Sequence, residues 1–358
     1  MTEIHLTDQL NKLRIGYVSA SSDMSHPADR RGFCHYAKRR HIRFNKASAT
    51  ERYDIVVVAT SADITLWQRL ARHTKLVFIL SDSYLAGNMV GFREIFRGTA
   101  KFLARQHKFF QPNYRYSLKK ICMESAAVLC ATEEQRELLG EFCSNVHVIF
   151  DFHDDVVCQV KDDYRAKKPF KLVWEGLPEN LTTFMTIRDV LTELRKRHEI
   201  ALHIVTDVEY PLGLRHFGKL PTKKLIRKLF DFEEVYLYEW NEPMLATIVT
   251  GCDLALIPIP PDVPIFAGKP ANKLLLFWRM GVPVVTSATP AYVREMRAAG
   301  LDMACASKEE WFNKLAHYIS DEDARRETAR RGNAYVATRY SEEALLSRWD
   351  NLFRTLLR

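Results

Sequence analysis

Ten short apolar runs, each separated from the next by a helical pattern, constrain this chain more than any other feature. Five fall at 14–18, 54–59, 75–80, 126–130 and 146–150, and five more at 171–174, 201–205, 235–238, 254–257 and 282–285. They are continuous rather than alternating, which marks strands buried on both faces of a parallel sheet. A polar stretch, 151–169, separates the two series. Two βα series joined by one linker predict an α/β chain of two doubly wound domains facing each other across a central cleft. Ligands in such folds bind outside the carboxyl ends of the strands, so the cleft is the expected active site. The expected boundaries are a first domain over 1–155, a linker over 156–168, a second domain over 169–338, and a last helix over 339–358 that packs back on the first domain. With 358 residues and 47% hydrophobic content the chain is long enough for two cores.

The net charge of +8 is unevenly spread. Residues 30–46 hold seven basic side chains and no acid, and 93–120 hold eight basic side chains and one Glu, so the rest of the chain is net acidic. Nucleic acid favours such patches, but no helix-turn-helix, zinc-finger or stacking signature accompanies them, which counts against that partner. From Phe92 the chain reads FREIFRGTAKFLARQHKFF. Continued as one helix, this sets Arg93, Arg97, Lys101, Arg105 and Lys108 in a basic stripe beside Phe92, Phe96, Phe102 and Phe109. That is the composition of an interfacial helix, and an anionic membrane surface is its expected partner. A domain helix that buries its Phe and exposes its Arg is the plainer alternative, and the two coexist.

The seven cysteines form no CxxC pair and leave an odd count. This points away from a disulfide framework or zinc site and toward a reducing cytoplasm. The first residues lack the apolar core of a signal peptide, and no apolar run nears the ~20 residues that span a bilayer. The expected location is cytoplasmic, peripheral at the inner face of the cell membrane.

The richest segment is 251–290, GCDLALIPIPPDVPIFAGKPANKLLLFWRMGVPVVTSATP. A strand ends at Ile257-Pro258, a loop follows, and Lys269-Pro270-Ala271-Asn272-Lys273 opens a helix. That helix ends at Met280-Gly281, where Gly suits the C′ position. Open amides and the helix dipole favour a phosphate at such a start, and two lysines and an Asn add to the cradle. Positive charge there opposes the dipole, which disfavours reading the lysines as merely solvated unless an anion compensates.

At these residues the chain resembles the GT-B glycosyltransferases, group 1/family 4-like. Their donor segment runs from an "aDv.l.Ps" strand through a Gly-rich loop to a helix ending "A.G.PVV". Many carry the "K..NK" found here at Lys269, Asn272 and Lys273. The segments AAVLCATEEQRE (126–137), HVIFD (147–151) and KLVWEG (171–176) follow the family's order too. The resemblance implies two Rossmann-like domains and a nucleotide-sugar as donor substrate, with no cofactor and no metal. It also implies a glycan or lipid-linked acceptor, and a place in bacterial surface polysaccharide synthesis. The donor falls on Gly268, Lys269, Asn272, Lys273, Glu175, Gly176 and Trp240. Lys269 and the helix start take the phosphate, Glu175 the sugar hydroxyls, and Trp240 stacks on the base. Gly176 permits close backbone approach. Asp82, at the end of LVFILSD, and Asp151, at the hinge, are the expected catalytic carboxylates. Ser22, Arg30 and Arg31 are the expected acceptor contacts.

Each of these residues has a plainer role open to it. Asp82 could cap a helix, Trp240 could be core, Glu175 a turn carboxylate, and the arginines solvated surface. His153-Asp154-Asp155 is metal-like in composition, but three adjacent residues do not readily converge on one ion. The family's Glu–seven residues–Glu pair is missing, with Gly268 and Leu276 in its place. That departure leaves two alternatives: a nucleotide-sugar epimerase-like enzyme of the same architecture, or a non-catalytic partner subunit of a transferase.

Overall fold

The computed structural model describes residues 3–21, 23–81, 83–86, 92–211 and 218–358, with backbone alone at 92–96 and 267. The chain divides into two compact units. The first comprises Met1–Phe152, Gly268–Pro270 and Tyr340–Arg358; the second comprises His153–Ala267 and Ala271–Arg339.

In the first unit the strands are β1 (Ile15–Val18), β2 (Asn45–Lys46), β3 (Ile55–Ala59), β4 (Lys75–Leu80), β5 (Ala127–Cys130) and β6 (Val146–Val148). They form one parallel sheet in the order β2-β1-β3-β4-β5-β6. Ile55, Val57, Val77, Ala127 and Leu129 enter one core, while Val56, Val58, Leu76, Phe78, Val128 and Cys130 enter another. Burial on both faces explains why the apolar runs are continuous. The first core is closed by the helix Glu342–Leu356, whose Leu345, Leu346, Trp349, Leu352, Phe353 and Leu356 recur at helical spacing. Trp349 stacks on Tyr36 with ring centroids 5.5 Å apart. Beside this stack the buried Arg40 guanidinium meets Glu3 at 2.8 Å and Glu343 and Asp350 at 3.0 Å each. Three carboxylates offset the desolvation of that charge.

The second unit carries β7 (Phe170–Glu175), β8 (Ile200–Thr206), β9 (Glu209–Pro211), β10 (Lys219–Pro221), β11 (Val235–Glu239), β12 (Leu254–Ile257), β13 (Val284–Ser287) and β14 (Ala304–Cys305). Its parallel sheet runs β11-β8-β7-β12-β13-β14, and β9 and β10 form a separate antiparallel pair. Strand order reverses between β7 and β12 here, and between β1 and β3 in the first unit. Such reversals open a crevice at the carboxyl ends of the strands.

Residues 156–168, expected as a linker, count with the second unit. The buried Tyr164 hydroxyl donates to the Gly281 carbonyl at 2.9 Å, and the Arg325 guanidinium donates to the Tyr164 carbonyl at 2.8 Å. The Lys161 amide adds a bond to the Met280 carbonyl at 2.9 Å. These bonds tie the stretch to the second unit, while Asp163, Arg165, Lys167 and Lys168 remain exposed. Gly281 has φ +68°, and the Val282 amide donates to the Phe277 carbonyl at 3.0 Å, closing a glycine C-cap on the helix Asn272–Arg279.

Candidate functional site

The reversal between β7 and β12 gathers several of the residues singled out above. Lys273 lies in the first turn of the helix Asn272–Arg279. Its ammonium donates to the Glu175 carbonyl, stands 3.8 Å from the Glu175 carboxylate and lies 4.8 Å from the centroid of the Trp174 ring. A side chain from the helix after β12 thus reaches across the carboxyl end of β7. At Gly176 a Cβ would stand 2.9 Å from the buried Trp174 ring, with the Lys273 ammonium closer still. Glycine keeps that space open.

The neighbouring strand adds a second helix start. The Ser287 hydroxyl, at the end of β13, accepts from the Ile259 amide at 2.8 Å and ties the loop after β12 to β13. Thr289 then leads into the helix Pro290–Ala298 with Pro in its first turn. The Thr289 hydroxyl is fully buried and has no hydrogen-bond partner among the described residues. Neither this helix nor Asn272–Arg279 has a side-chain cap. In the helix Pro290–Ala298 the Ala291 and Tyr292 amides thus lack a side-chain cap, and a helix start of that kind suits an anion. Burial, and then the charge of Glu175, push the Tyr292 phenol above its ordinary pKa.

Asn272 is half-buried at the start of the same helix as Lys273. Gly268 and Lys269 are grouped with the first unit, where the Gly268 carbonyl accepts from the Ser83 hydroxyl. Trp240 follows β11, half-buried, its amide donating to the Thr206 carbonyl at 3.0 Å. That strand is two places from β7. Leu276, at the position where the family carries an acid, is buried in apolar packing.

In the first unit the loop after β1 closes around a carboxylate that sequence reasoning passed over. Asp29 is fully buried and accepts from the Tyr17 hydroxyl at 2.8 Å, the Ala20 amide at 2.6 Å, and the Ser21 amide and hydroxyl at 3.0 Å each. Burial, then this hydrogen bond, push the Tyr17 phenol up, and half-buried Asp151 adds to the shift. Arg30 and Arg31, also half-buried, end the short helix that carries Asp29. Ser22 and Asp82 lie outside the described residues. Asp29 was readable only as a first-turn helix acid. Thr289-Pro290, by contrast, is a helix-start pair that the sequence displays openly.

The expected basic stripe is broken. Its helix, Phe92–Leu103, stops before Arg105 and Lys108. The Arg97 guanidinium lies over Tyr84 and Tyr114, 4.7 and 4.8 Å from their centroids, and the Lys101 ammonium lies 4.8 Å over Tyr114. Those two cations turn inward because Tyr114 offers them a ring face. Arg105 and Lys108 are exposed, and the Arg93 side chain lies outside what is described. Among the described residues no helix is long and apolar enough to cross a membrane. Nor is any group of three His, Cys, Asp or Glu side chains among them placed to hold a metal.

Two doubly wound parallel sheets of this kind define the GT-B fold of glycosyltransferases, and the chain has that fold. Anabaena HepE, solved with UDP and glucose, matches with a TM-score of 0.63 at 12% identity, over 96% of this chain and 100% of that one. A glycosyltransferase from Rickettsia africae matches with a TM-score of 0.58 at 10% identity, over 96% and 98% of the two chains. S. aureus TarM matches at 0.57 and 12% identity over 84% of this chain and 54% of its own, so the chain spans about half the length of TarM. No protein-family model matches the chain, and no curated protein matches it in sequence.

Proposed function

We propose that the chain is a glycosyltransferase whose second unit holds a nucleoside diphosphate sugar and whose first unit serves a glycan or lipid-linked acceptor. The observation that carries this reading is the Lys273 ammonium drawn across the end of β7, beside two helix starts without side-chain caps. A cation beside two helix starts suits a diphosphate. As the bond from the sugar's anomeric carbon to the phosphate oxygen breaks, negative charge grows on the departing nucleotide. Lys273 is placed to stabilise it, so the reaction is read as independent of metal. On this reading Glu175, beside Lys273, takes the sugar hydroxyls. The family resemblance gives the acceptor's proton to Asp82 or Asp151 and the product to a bacterial surface polysaccharide, made at the inner face of the membrane. HepE, solved with UDP and glucose, supports uridine nucleotides as the first donors to try.

The test is incubation with UDP-sugars labelled in the sugar, together with a bacterial lipid and glycan extract. Label passing to the acceptor fraction, with release of UDP in step, is the expected result. A donor isomerised without acceptor labelling would make the chain an epimerase-like enzyme, and donor binding without turnover a partner subunit.

A further inference from the structure

The end of the helix Phe92–Leu103 forms an exposed tip of mixed chemistry. Leu103 is 75% exposed, Phe110 54% and Phe102 36%, and the two phenylalanine rings meet edge to face at 5.3 Å. From Phe96 to Met123 the sequence has seven Lys and Arg and no acid. The tip is held firmly. The Gln111 and Pro112 carbonyls pack where a Cβ at Gly98 would lie. The Lys108 amide donates to the Asp63 carboxylate at 2.6 Å, and the Phe109 amide to the Thr65 hydroxyl at 3.2 Å. Asp63, the acid nearest this turn, is already occupied by that bond and by its own helix cap.

Arg105 supplies an independent observation. The helix closes with the Gln106 amide donating to the Lys101 carbonyl at 2.9 Å, and Arg105 sits in the left-handed region at φ +55°. That is the C′ position where glycine is the usual occupant. An L-residue there costs about 1–2 kcal/mol. A cation held at that cost, next to Leu103, points to a use for its side chain.

We propose that this tip, Phe102, Leu103 and Phe110 with Arg105 and Lys108, docks on an anionic lipid bilayer. The three apolar side chains stand within a stretch, 96–123, that has seven Lys and Arg and no acid, so the charge beside them is complementary to an anionic surface. They suit shallow insertion below phosphate headgroups that the surrounding cations attract. The inference deepens the transferase reading, whose lipid-linked acceptor would lie at such a surface. Its test needs no sugar transfer, so the two readings fail separately.

The experiment is flotation of the full chain with vesicles of phosphatidylcholine alone, or of phosphatidylcholine and phosphatidylglycerol in equal parts. Binding is expected only to the mixed vesicles, with release by high salt. Arg105→Gly relieves the backbone, so the variant should fold at least as stably as the parent yet partition about fivefold more weakly. Leu103→Asn should weaken it further. No flotation of the parent chain, equal flotation on pure phosphatidylcholine, or parental partitioning of both variants would overturn the proposal. So would concentration-dependent dimerisation that Leu103→Asn abolishes without any vesicle binding, which gives the tip to a second copy. Inorganic phosphate that abolishes vesicle binding at constant ionic strength would also overturn it, because a small-anion site would then explain the cations.

Discussion

The two sheets end in opposite electrostatic arrangements. At the carboxyl end of β1 a buried carboxylate gathers donors: the Ala20 and Ser21 amides, the Ser21 hydroxyl and the Tyr17 phenol all point at Asp29. At the carboxyl end of β7 a cation lies across the strand, and the helices that follow β12 and β13 begin without side-chain caps. Backbone amides at such a loop are the natural phosphate cradle of a doubly wound sheet. In the first unit the chain's own Asp29 already holds them. In the second unit a lysine held by Glu175 lies beside two helix starts without side-chain caps, so equivalent folds do not make equivalent sites.

Lys273→Ala should break the contrast most severely. Transfer is expected to fall about 10²–10³-fold, the loss typical of a removed transition-state donor, and UDP affinity should fall with it in calorimetry. Asp29→Ala attacks the other side. It takes the acceptor from four donors, of which the Tyr17 hydroxyl is buried and the Ala20 and Ser21 groups are half-buried. An unsatisfied buried donor costs about 1–3 kcal/mol, so chemical denaturation should show a loss of about that size. UDP affinity in the second unit should not change. Gly176→Ala tests the close approach beside Trp174. The added methyl meets the ring and the Lys273 ammonium, and overpacking of about 1–3 kcal/mol should weaken UDP binding on the order of 10-fold.

The smallest expected effect concerns protons. His203 stacks between Tyr236 and Tyr238, ring centroids 5.1 and 5.6 Å away, and burial followed by the charge of Lys171 pulls its pKa down to about 4. The unfolded state, at about 6.5, therefore binds more protons between pH 6.5 and 4. Stability from the neutral ring is complete above pH 6.5 and lost as pH falls through that window. His203→Gln should lose less stability than the parent over it, as read from urea midpoints. Parallel pH curves for the two proteins would refute the assignment.

Much of this architecture was legible because β3, β4, β5, β12 and β13 are buried on both faces and so leave continuous apolar runs. Gly281 also announced its C-cap. The two-residue β2 and β14 have no run to read. The end of the helix at Leu103 was hidden for a physical reason: its left-handed residue is Arg105, and a non-glycine C′ leaves no punctuation in the sequence. Arg97 and Lys101 looked like members of a solvent stripe because their partner, Tyr114, lies beyond the end of their own helix. At the site, Glu175, Gly176 and Lys273 were readable from residue type and position. Thr289 and Tyr292 join them only through the packing of β13 beside β12. Leu276 shows where the family pattern gives way: a leucine buried in the helix cannot do an acid's work.

If Lys273 and the two helix starts hold the diphosphate, hydrogen–deuterium exchange with and without UDP should show protection concentrated at 174–177, 271–275 and 289–293, weakened in Lys273→Ala. Protection confined to the β1 loop and the Asp29 helix, 19–31, would contradict it and move the phosphate site to the first unit.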